Sequence, residues 1–418
     1  MKDKNYFQGK DVLVVGFGKS GLSSANLLYT LGANVKVTDN QDNVFTRNNL
    51  NALKSKEILV ELGKHSKDLL QGVSLLVISP GVPNDSFPIL WAKDLNIPII
   101  SEIELGFLFC PAKVIAITGT CGKTTVTTLL GRVFEAAGKR AFTCGNIGNP
   151  FTQELGKMKE GDYVFLEVSS FQLEYIDKFK PKVSVILNIS RNHLDRHTDM
   201  HRYIEAKARI FKNQDKSDFL VLNYDDEVAR GLASKAKAKI AYFKQEDALN
   251  PNQSAVLAVS RIFGIEDSIV KDTFLKFKGV EHRMEEVLEI KGVKFINDSK
   301  ATTTEATVWA LNSLSSPAVL IAGGREKGND YSRVLEVARD KIKAMVLIGE
   351  SKDAIKKEFG NFFDTYQAET LEEAVDKAFS LALSGECVLF SPMCKSFDMF
   401  LNYEARGRAF KEAVRKLA

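Results

Sequence analysis

Short apolar runs alternate with helix-period stretches along the whole chain. Asp11–Gly16 reads as a buried strand, Gly21–Leu31 as a helix and Asn34–Thr38 as a second strand. Ser74–Ser79 and Ile97–Ile100 are further strands of the same group. Strand–helix–strand alternation predicts a parallel, doubly wound sheet with helices on both faces. A second group opens with the β-branched run Val114–Thr118 and continues through Asp162–Glu167 and Val183–Asn188. A third contains Val293–Ile296, Ala318–Ala322, Ala344–Ile348 and Val388–Phe390. Each of these is followed by a loop rich in functional residue types: Asn297–Lys300, Gly323–Gly328, Gly349–Ser351 and Ser391–Ser396. The pattern predicts an α/β protein of three domains, 1–101, 102–279 and 280–418. Ligands of such sheets sit beyond the carboxyl ends of the strands.

Composition narrows the partners. Across 418 residues, 57 basic side chains face 53 acidic ones, with no long block of one sign. That near balance argues against a nucleic-acid arm or a polybasic membrane patch. No apolar run approaches the roughly 18 residues of a membrane helix, and the polar start is unlike a signal peptide. The cysteines number 5, an odd count without C-x-x-C spacing, which disfavours a disulfide framework and a structural zinc site. A reduced, cytoplasmic, multidomain enzyme is expected.

Two glycine turns carry candidate chemistry. Gly16-Phe17-Gly18-Lys19-Ser20-Gly21 joins a strand to a helix whose N-terminus offers free N–H groups to a diphosphate, and Asp39 ends the next strand, where a carboxylate suits a ribose hydroxyl. Taken alone, the turn fits NAD, another diphosphate-bearing ligand, or a structural role. Gly119-Thr120-Cys121-Gly122-Lys123-Thr124-Thr125 has the same strand-before, helix-after context. Its amides suit phosphates, Lys123 the β/γ oxygens and Thr124 a Mg²⁺ ion. Two phosphate turns in one chain point to an ATP user whose other substrate is itself a nucleotide diphosphate.

Further along, Glu167 ends a strand, where an acid serves Mg²⁺ or caps the strand. His193, His197 and His201 are spaced four apart. A zinc reading is rejected, since H-E-x-x-H is absent and Asn188–Thr198 reads as a loop. His193 is a candidate Mg²⁺-site residue, whereas His197 and His201 read as surface histidines. On pattern alone, Lys207 is a solvated helix lysine.

Together these residues resemble the Mur ligases, the ATP-dependent amide ligases of peptidoglycan synthesis. The likeness covers the chain in order: Gly16–Gly21, Ser79-Pro80-Gly81, Ile117–Thr125, Gly145-Asn146-Ile147-Gly148, Glu167–Glu174, His193-Leu194-Asp195-Arg196, Ala206-Lys207, His282-Arg283, Asn297–Thr302, Gly323–Gly328 and Ser391–Ser396. It implies an N-terminal Rossmann-like domain, a central P-loop ATPase-like domain and a C-terminal Rossmann-like domain. The first would bind the UDP of UDP-N-acetylmuramoyl-L-alanine through Lys19, Ser20, Gly21, Asp39 and Gly81, turning the first glycine turn away from NAD. The second would bind ATP through Gly119, Thr120, Cys121, Gly122, Lys123, Thr124 and Thr125, with Asn146 on the muramoyl substrate. Two Mg²⁺ ions are implied, one on Thr124 and Glu167, the other on His193 and a carbamylated Lys207. In the third domain Arg283 and Asp298 would meet ATP, while Lys300, Thr302, Lys327, Ser396, Phe397 and Tyr403 would surround D-glutamate. Lys123, His193, Lys207 and Lys300 are the implied catalytic residues of a monomeric enzyme acting through an acyl phosphate. The competitors are a sister ligase for another amino acid, a folylpolyglutamate-synthase-like ligase and, from another class, an NAD-dependent dehydrogenase or a non-catalytic nucleotide sensor. The chain departs from the family pattern at Cys121 (usually Asn), Asn192 (usually an acid), Thr303 (usually Asn), Lys395 (usually small) and the loosely matching Asn250–Ser254.

Overall fold

Pairing of the apolar runs builds three separate sheets in the computed structural model, which describes residues 3–191, 194–245, 249–325, 328 and 330–418. The first contains β1 (Asp11–Val15), β2 (Asn34–Asp39), β3 (Leu59–Leu62), β4 (Leu75–Ile78) and β5 (Ile99–Ser101), all parallel, in the order β3-β2-β1-β4-β5. The second contains β6 (Lys113–Thr118), β7 (Ala141–Gly145), β8 (Tyr163–Glu167), β9 (Val183–Ile186), β10 (Phe219–Asn223) and β11 (Lys239–Phe243), again all parallel, in the order β11-β10-β9-β6-β8-β7. The third contains β12 (Glu285–Ile290), β13 (Val293–Asn297), β14 (Ala318–Gly323), β15 (Ile342–Ile348), β16 (Asp364–Gln367) and β17 (Cys387–Phe390). Its order is β12-β13-β17-β14-β15-β16, with only β12 antiparallel to its neighbour. The predicted α/β class is borne out.

The central strands are continuous apolar runs because both faces of each sheet are covered. Val12 and Val14 of β1 enter one core while Leu13 and Val15 enter another. Ile115 and Ile117 of β6 are likewise separated from Val114 and Ala116, and Leu320 and Ala322 of β14 from Val319 and Ile321. This is the two-residue period of a strand with helices on either side. Each such valine, leucine or isoleucine, fully buried, contributes roughly 1.5–3 kcal/mol.

Six strands were not anticipated: β3, β7, β10, β11, β12 and β16. Five of them border a sheet, where exposed or half-exposed positions interrupt the apolar run. β10 (Phe-Leu-Val-Leu-Asn) is interior and apolar, so its signal was present.

Contacts divide the chain into two compact units, Met1–Phe277 and Lys278–Ala418. The first contains two of the sheets, joined through buried polar groups. Glu102 accepts the Thr152 amide (2.7 Å) and hydroxyl (2.8 Å), and Thr152 Oγ1 meets Ser23 Oγ at 2.7 Å. Glu104 accepts the amides of Asp177, Lys178 and Phe179. Among the described residues no helix is long and apolar enough to cross a membrane.

Candidate functional site

The first glycine turn leaves β1 at the point where strand order reverses, between β2 and β4. Its tightness demands glycine at position 21, where a Cβ would overlap the Gly16 carbonyl oxygen. Ser79 Oγ, beyond β4, donates to that carbonyl (2.9 Å). Asp39 ends β2 and grips the turn: Oδ2 accepts the Phe17 amide (2.6 Å) and Oδ1 the Gln41 amide (2.8 Å). Lys19 and Gly81 are exposed, Ser20 is half-buried and Gly21 is buried. His65, overlooked in the sequence, meets Thr38 Oγ1 at 2.8 Å beside β2, and burial holds its pKa below the usual value.

The second turn leaves β6, the centre of its sheet. Gly122 adopts a φ of +82°, and a Cβ there would strike Asn252 Oδ1. The helix Lys123–Ala136 begins at once, while a capping box at Asn250 starts the helix Pro251–Ile262 that brings Asn252 alongside. Asn188, just past β9, shapes the loop. Its Oδ1 accepts the amides of Thr120 (3.0 Å) and Cys121 (2.8 Å), and its Nδ2 donates to the Cys121 carbonyl (3.2 Å). Asn188 was not singled out as functional, although it stood at the end of a predicted strand.

Lys123 Nζ donates to the carbonyls of Gly119 and Thr120, each at 2.9 Å. Lys207, from the helix Met200–Ala208, donates to the same Gly119 carbonyl at 2.8 Å. Lys207 is buried, so the reading of a solvated helix lysine is corrected. The helix is amphipathic, and Lys207 lies on its inward face with Tyr203 and Ala206. Burial, then the neighbouring Lys123 charge, drives its pKa well below the usual lysine value. Two ammonium heads on one carbonyl repel, and burial favours neutral Lys207. Tyr203 lies under its amine, with a hydroxyl 3.3 Å from Thr120 Oγ1 and a pKa pushed up by burial to about 12.

Thr124 is buried at the start of the P-loop helix, and Thr125 is half-buried. Glu167 ends β8 opposite Ile117 of β6, buried, and its Oε1 accepts from Nδ2 of the exposed Asn146 (2.8 Å). A hydroxyl and a carboxylate are hard oxygen donors, the set that Mg²⁺ prefers. As an ammonium, Lys207 does not fit a metal; as an amine it is the form from which a carbamate is made.

His193 lies outside the described residues. His197 is not a surface histidine: it is buried, with Nε2 2.9 Å from Ser170 Oγ and Nδ1 3.3 Å from Glu174 Oε1. The segment expected as a loop turns helical at Leu194–His197, which swings His197 inward. His201 is exposed, as expected, beside Glu205. Nearby, Arg196 donates to the carbonyls of Pro80 (2.9 Å) and Val82 (2.8 Å), tying this segment to the loop after β4.

The second unit gathers its described candidates about the carboxyl ends of β13 and β17. Asp298 is buried; its Oδ2 accepts from Ser391 Oγ (2.9 Å) and its Oδ1 from the Met284 amide (3.3 Å). Burial raises its pKa to about 7 against the opposing pull of Ser391, Arg283 and Lys300. Arg283 lies over the Trp309 ring and Lys300 over the Tyr403 ring, both at 5.7 Å. Ser396 is buried, Thr302 half-buried and Phe397 exposed. Lys327 lies outside the described residues. Thr303, where Asn is usual, caps the helix Thr304–Asn312 by accepting the Ala306 amide, a role open to either residue. Glu281, His282 and Glu285 have metal-ligand spacing, but Lys411 Nζ already stands between the carboxylates, 2.9 Å from Glu281 and 2.6 Å from Glu285.

Known proteins bear on this geometry. Residues 10–101 match the Mur ligase MurD-like N-terminal domain, 117–280 the Mur ligase middle domain and 282–394 the Mur ligase glutamate ligase domain. The chain is 40% identical, over 98% of its own length and 99% of the relative's, to the UDP-N-acetylmuramoylalanine–D-glutamate ligase of Thermoanaerobacter pseudethanolicus. Among solved structures it resembles the UDP-N-acetylmuramate–alanine ligase MurC of Thermotoga maritima, with TM-score 0.61 and 17% identity over 98% of this chain and 100% of that one. MurF ligase of the same organism, solved in complex with ADP, gives TM-score 0.60 and 17% identity over 100% and 97%. At such identities the structures speak for the fold alone.

Proposed function

Because the chain belongs to the Mur ligase family, we propose that it joins D-glutamate to UDP-N-acetylmuramoyl-L-alanine at the expense of ATP, a cytoplasmic step in peptidoglycan precursor synthesis. The observation that carries this reading is the convergence of Lys123 and Lys207 on the Gly119 carbonyl at the head of the P-loop. A dehydrogenase has no use for that pair. The D-glutamate acceptor is supported by the 40% identity over nearly the whole of a relative with that activity in its name.

In this reading the terminal carboxylate of the UDP substrate attacks the γ-phosphate of ATP, giving an acyl phosphate and ADP. The amine of D-glutamate then attacks the acyl carbon, and phosphate leaves from a tetrahedral intermediate. Phosphoryl transfer needs alignment and charge neutralisation rather than a protein nucleophile. Lys123, freed from its loop carbonyls, would supply positive charge to the β/γ oxygens. Thr124 and Glu167 would hold Mg²⁺, which adds further neutralisation when bound. Neutral Lys207 would add to CO₂, forming an N–C bond and losing a proton, and the resulting carbamate would hold a second ion with His193. Lys300, Thr302, Lys327, Ser396 and Tyr403 would grip the acceptor's carboxylates, for which a cation and hydroxyls are suited. Lys19, Ser20, Gly21, Asp39 and Gly81 would form the UDP site and Asn146 would meet the muramoyl group.

The test is phosphate release from ATP with UDP-N-acetylmuramoyl-L-alanine across a panel of D- and L-amino acids. Release dependent on D-glutamate is expected. Dependence on another amino acid would assign a sister ligase, and NADH turnover without ATP would overturn the reading.

A further inference from the structure

The helix Tyr403–Lys416 turns one face, carrying Tyr403, Arg406, Gly407 and Lys411, towards three loops of its own unit. Arg406 is only 1% exposed. Its Nε donates to Ser299 Oγ (3.1 Å), its Nη2 to the Ser299 carbonyl (2.8 Å) and its Nη1 to the Cys394 carbonyl (3.0 Å). Ser299 Oγ in turn donates to the Tyr403 carbonyl (2.9 Å). One turn further on, the Gly407 carbonyl accepts from Asn297 Nδ2 (3.2 Å), and a Cβ on Gly407 would strike the His282 ring. Lys411 closes the face by binding Glu281 and Glu285.

Ser299 lies between Asp298 and Lys300, and Cys394 two residues before Ser396. The guanidinium therefore ties the loop after β13 to the loop after β17. The acceptors of its hydrogen bonds are neutral oxygens. Burial lowers its pKa to about 10, so it remains charged at neutral pH. A buried cation whose hydrogen-bond acceptors are neutral, with the Asp398 carboxylate only partly offsetting the cost of burial, is a poor source of stability compared with a well-packed apolar side chain. What it offers is a rigid planar fork with donors in fixed directions.

We infer that Arg406 is a positioning residue: its fork sets the spacing of the two loops, and so the separation at which Lys300 and Ser396 meet the incoming amino acid. The kinetic part of this inference rests on the ligase reading above; the brace itself does not.

The experiment compares full-length protein with its Arg406→Lys and Ser299→Ala variants by steady-state kinetics and hydrogen exchange. Arg406→Lys keeps the charge and loses the fork. Its KM for D-glutamate should rise by about tenfold or more, the scale on which misplaced binding groups act. KM for the UDP substrate, whose candidate residues lie outside the braced loops, should stay within about twofold of the parent's, a change too small to reflect a moved binding group. Amides of 297–302 and 391–397 should exchange faster, while those of β15 keep their protection. Ser299→Ala should shift both readouts in the same direction by less. A merely structural role would lower kcat with the folded fraction and leave KM for D-glutamate alone, which would overturn the inference. Unchanged exchange in both loops would also overturn it. Should Arg406→Lys fail to fold, Ser299→Ala decides by the same criteria. Should the parent show no D-glutamate-dependent turnover, the ligase reading falls and the exchange rates still judge the brace.

Discussion

Both glycine turns of the first unit leave a buried parallel strand and enter a helix, yet they are electrostatic opposites. The first is held by an anion: Asp39 spends one carboxylate oxygen on the Phe17 amide and the other on the Gln41 amide. The second is held by the neutral side chain of Asn188 and surrounded by Lys123 and Lys207. A carboxylate at a phosphate turn repels the phosphate, so a ligand there relies on the helix N-terminus, polar groups and the exposed Lys19 to offset it. The Lys123 cation at the other turn is placed where charge moves during a reaction, beside a buried Lys207 that burial holds towards its neutral form. In the proposed reading one fold device serves two purposes, holding the UDP substrate in the first case and transferring the γ-phosphoryl group of ATP in the second, and the residues that shape the turn decide which.

The sharpest separation should come from Lys123→Ala. Removing the P-loop cation should lower kcat by roughly 10²–10³-fold, the usual scale for a group that stabilises developing charge. KM for the UDP substrate should barely move, because the first turn keeps all its partners. Phosphate release with both substrates varied checks this. A loss of only a few-fold would remove Lys123 from the chemistry and with it the assignment of roles to the two turns.

Gly21→Ala should act in the opposite sense and with a smaller effect. The added methyl overlaps the Gly16 carbonyl oxygen, so the backbone of the first turn must shift. Overpacking of this kind costs about 1–3 kcal/mol. KM for the UDP substrate should rise, by at most the corresponding factor of about five- to 150-fold, while ATP binding, followed by titration with a fluorescent nucleotide, stays as in the parent. Equal weakening of both would mean that the two turns are not independent.

How much of this was legible in the residues follows the same division. Strands buried on both faces, such as β1, β6 and β14, announce themselves as apolar runs. Edge strands such as β3 and β16 do not, because a half-exposed strand mixes polar residues into a short segment. The glycine turns are visible because glycine is required where the backbone approaches itself. Side chains that act by burial are not. Lys207 and Arg406 look like ordinary polar residues of surface helices and His197 like a surface histidine of a loop, and only tertiary packing turns them inward. The family likeness pointed to Lys207 where its pattern did not, whereas no signal of either kind marked Arg406. Asn188 was readable in principle, as a polar residue closing an apolar strand beside the P-loop.

The smallest predicted effect tests the anionic grip itself. In Asp39→Asn, the side-chain carbonyl replaces one carboxylate oxygen and the amide NH₂ replaces the other. One of the two backbone amides, Phe17 or Gln41, then faces a donor instead of an acceptor, and the surviving hydrogen bond loses its charge. At a half-buried position this should cost about 1–2 kcal/mol of stability, measurable as a lower urea midpoint with an unchanged slope. Removal of the negative charge works the other way on ligand binding, since a diphosphate then meets less repulsion. Loosening of the turn should outweigh that relief, because Phe17 sits inside the turn and its amide fixes the approach to the helix N-terminus. KM for the UDP substrate is therefore expected to rise by about three- to fivefold, a change of under 1 kcal/mol, with ATP kinetics unaltered. A fall in that KM would show that Asp39 chiefly repels the ligand, and the carboxylate would then be a selectivity filter at the first turn rather than its clamp.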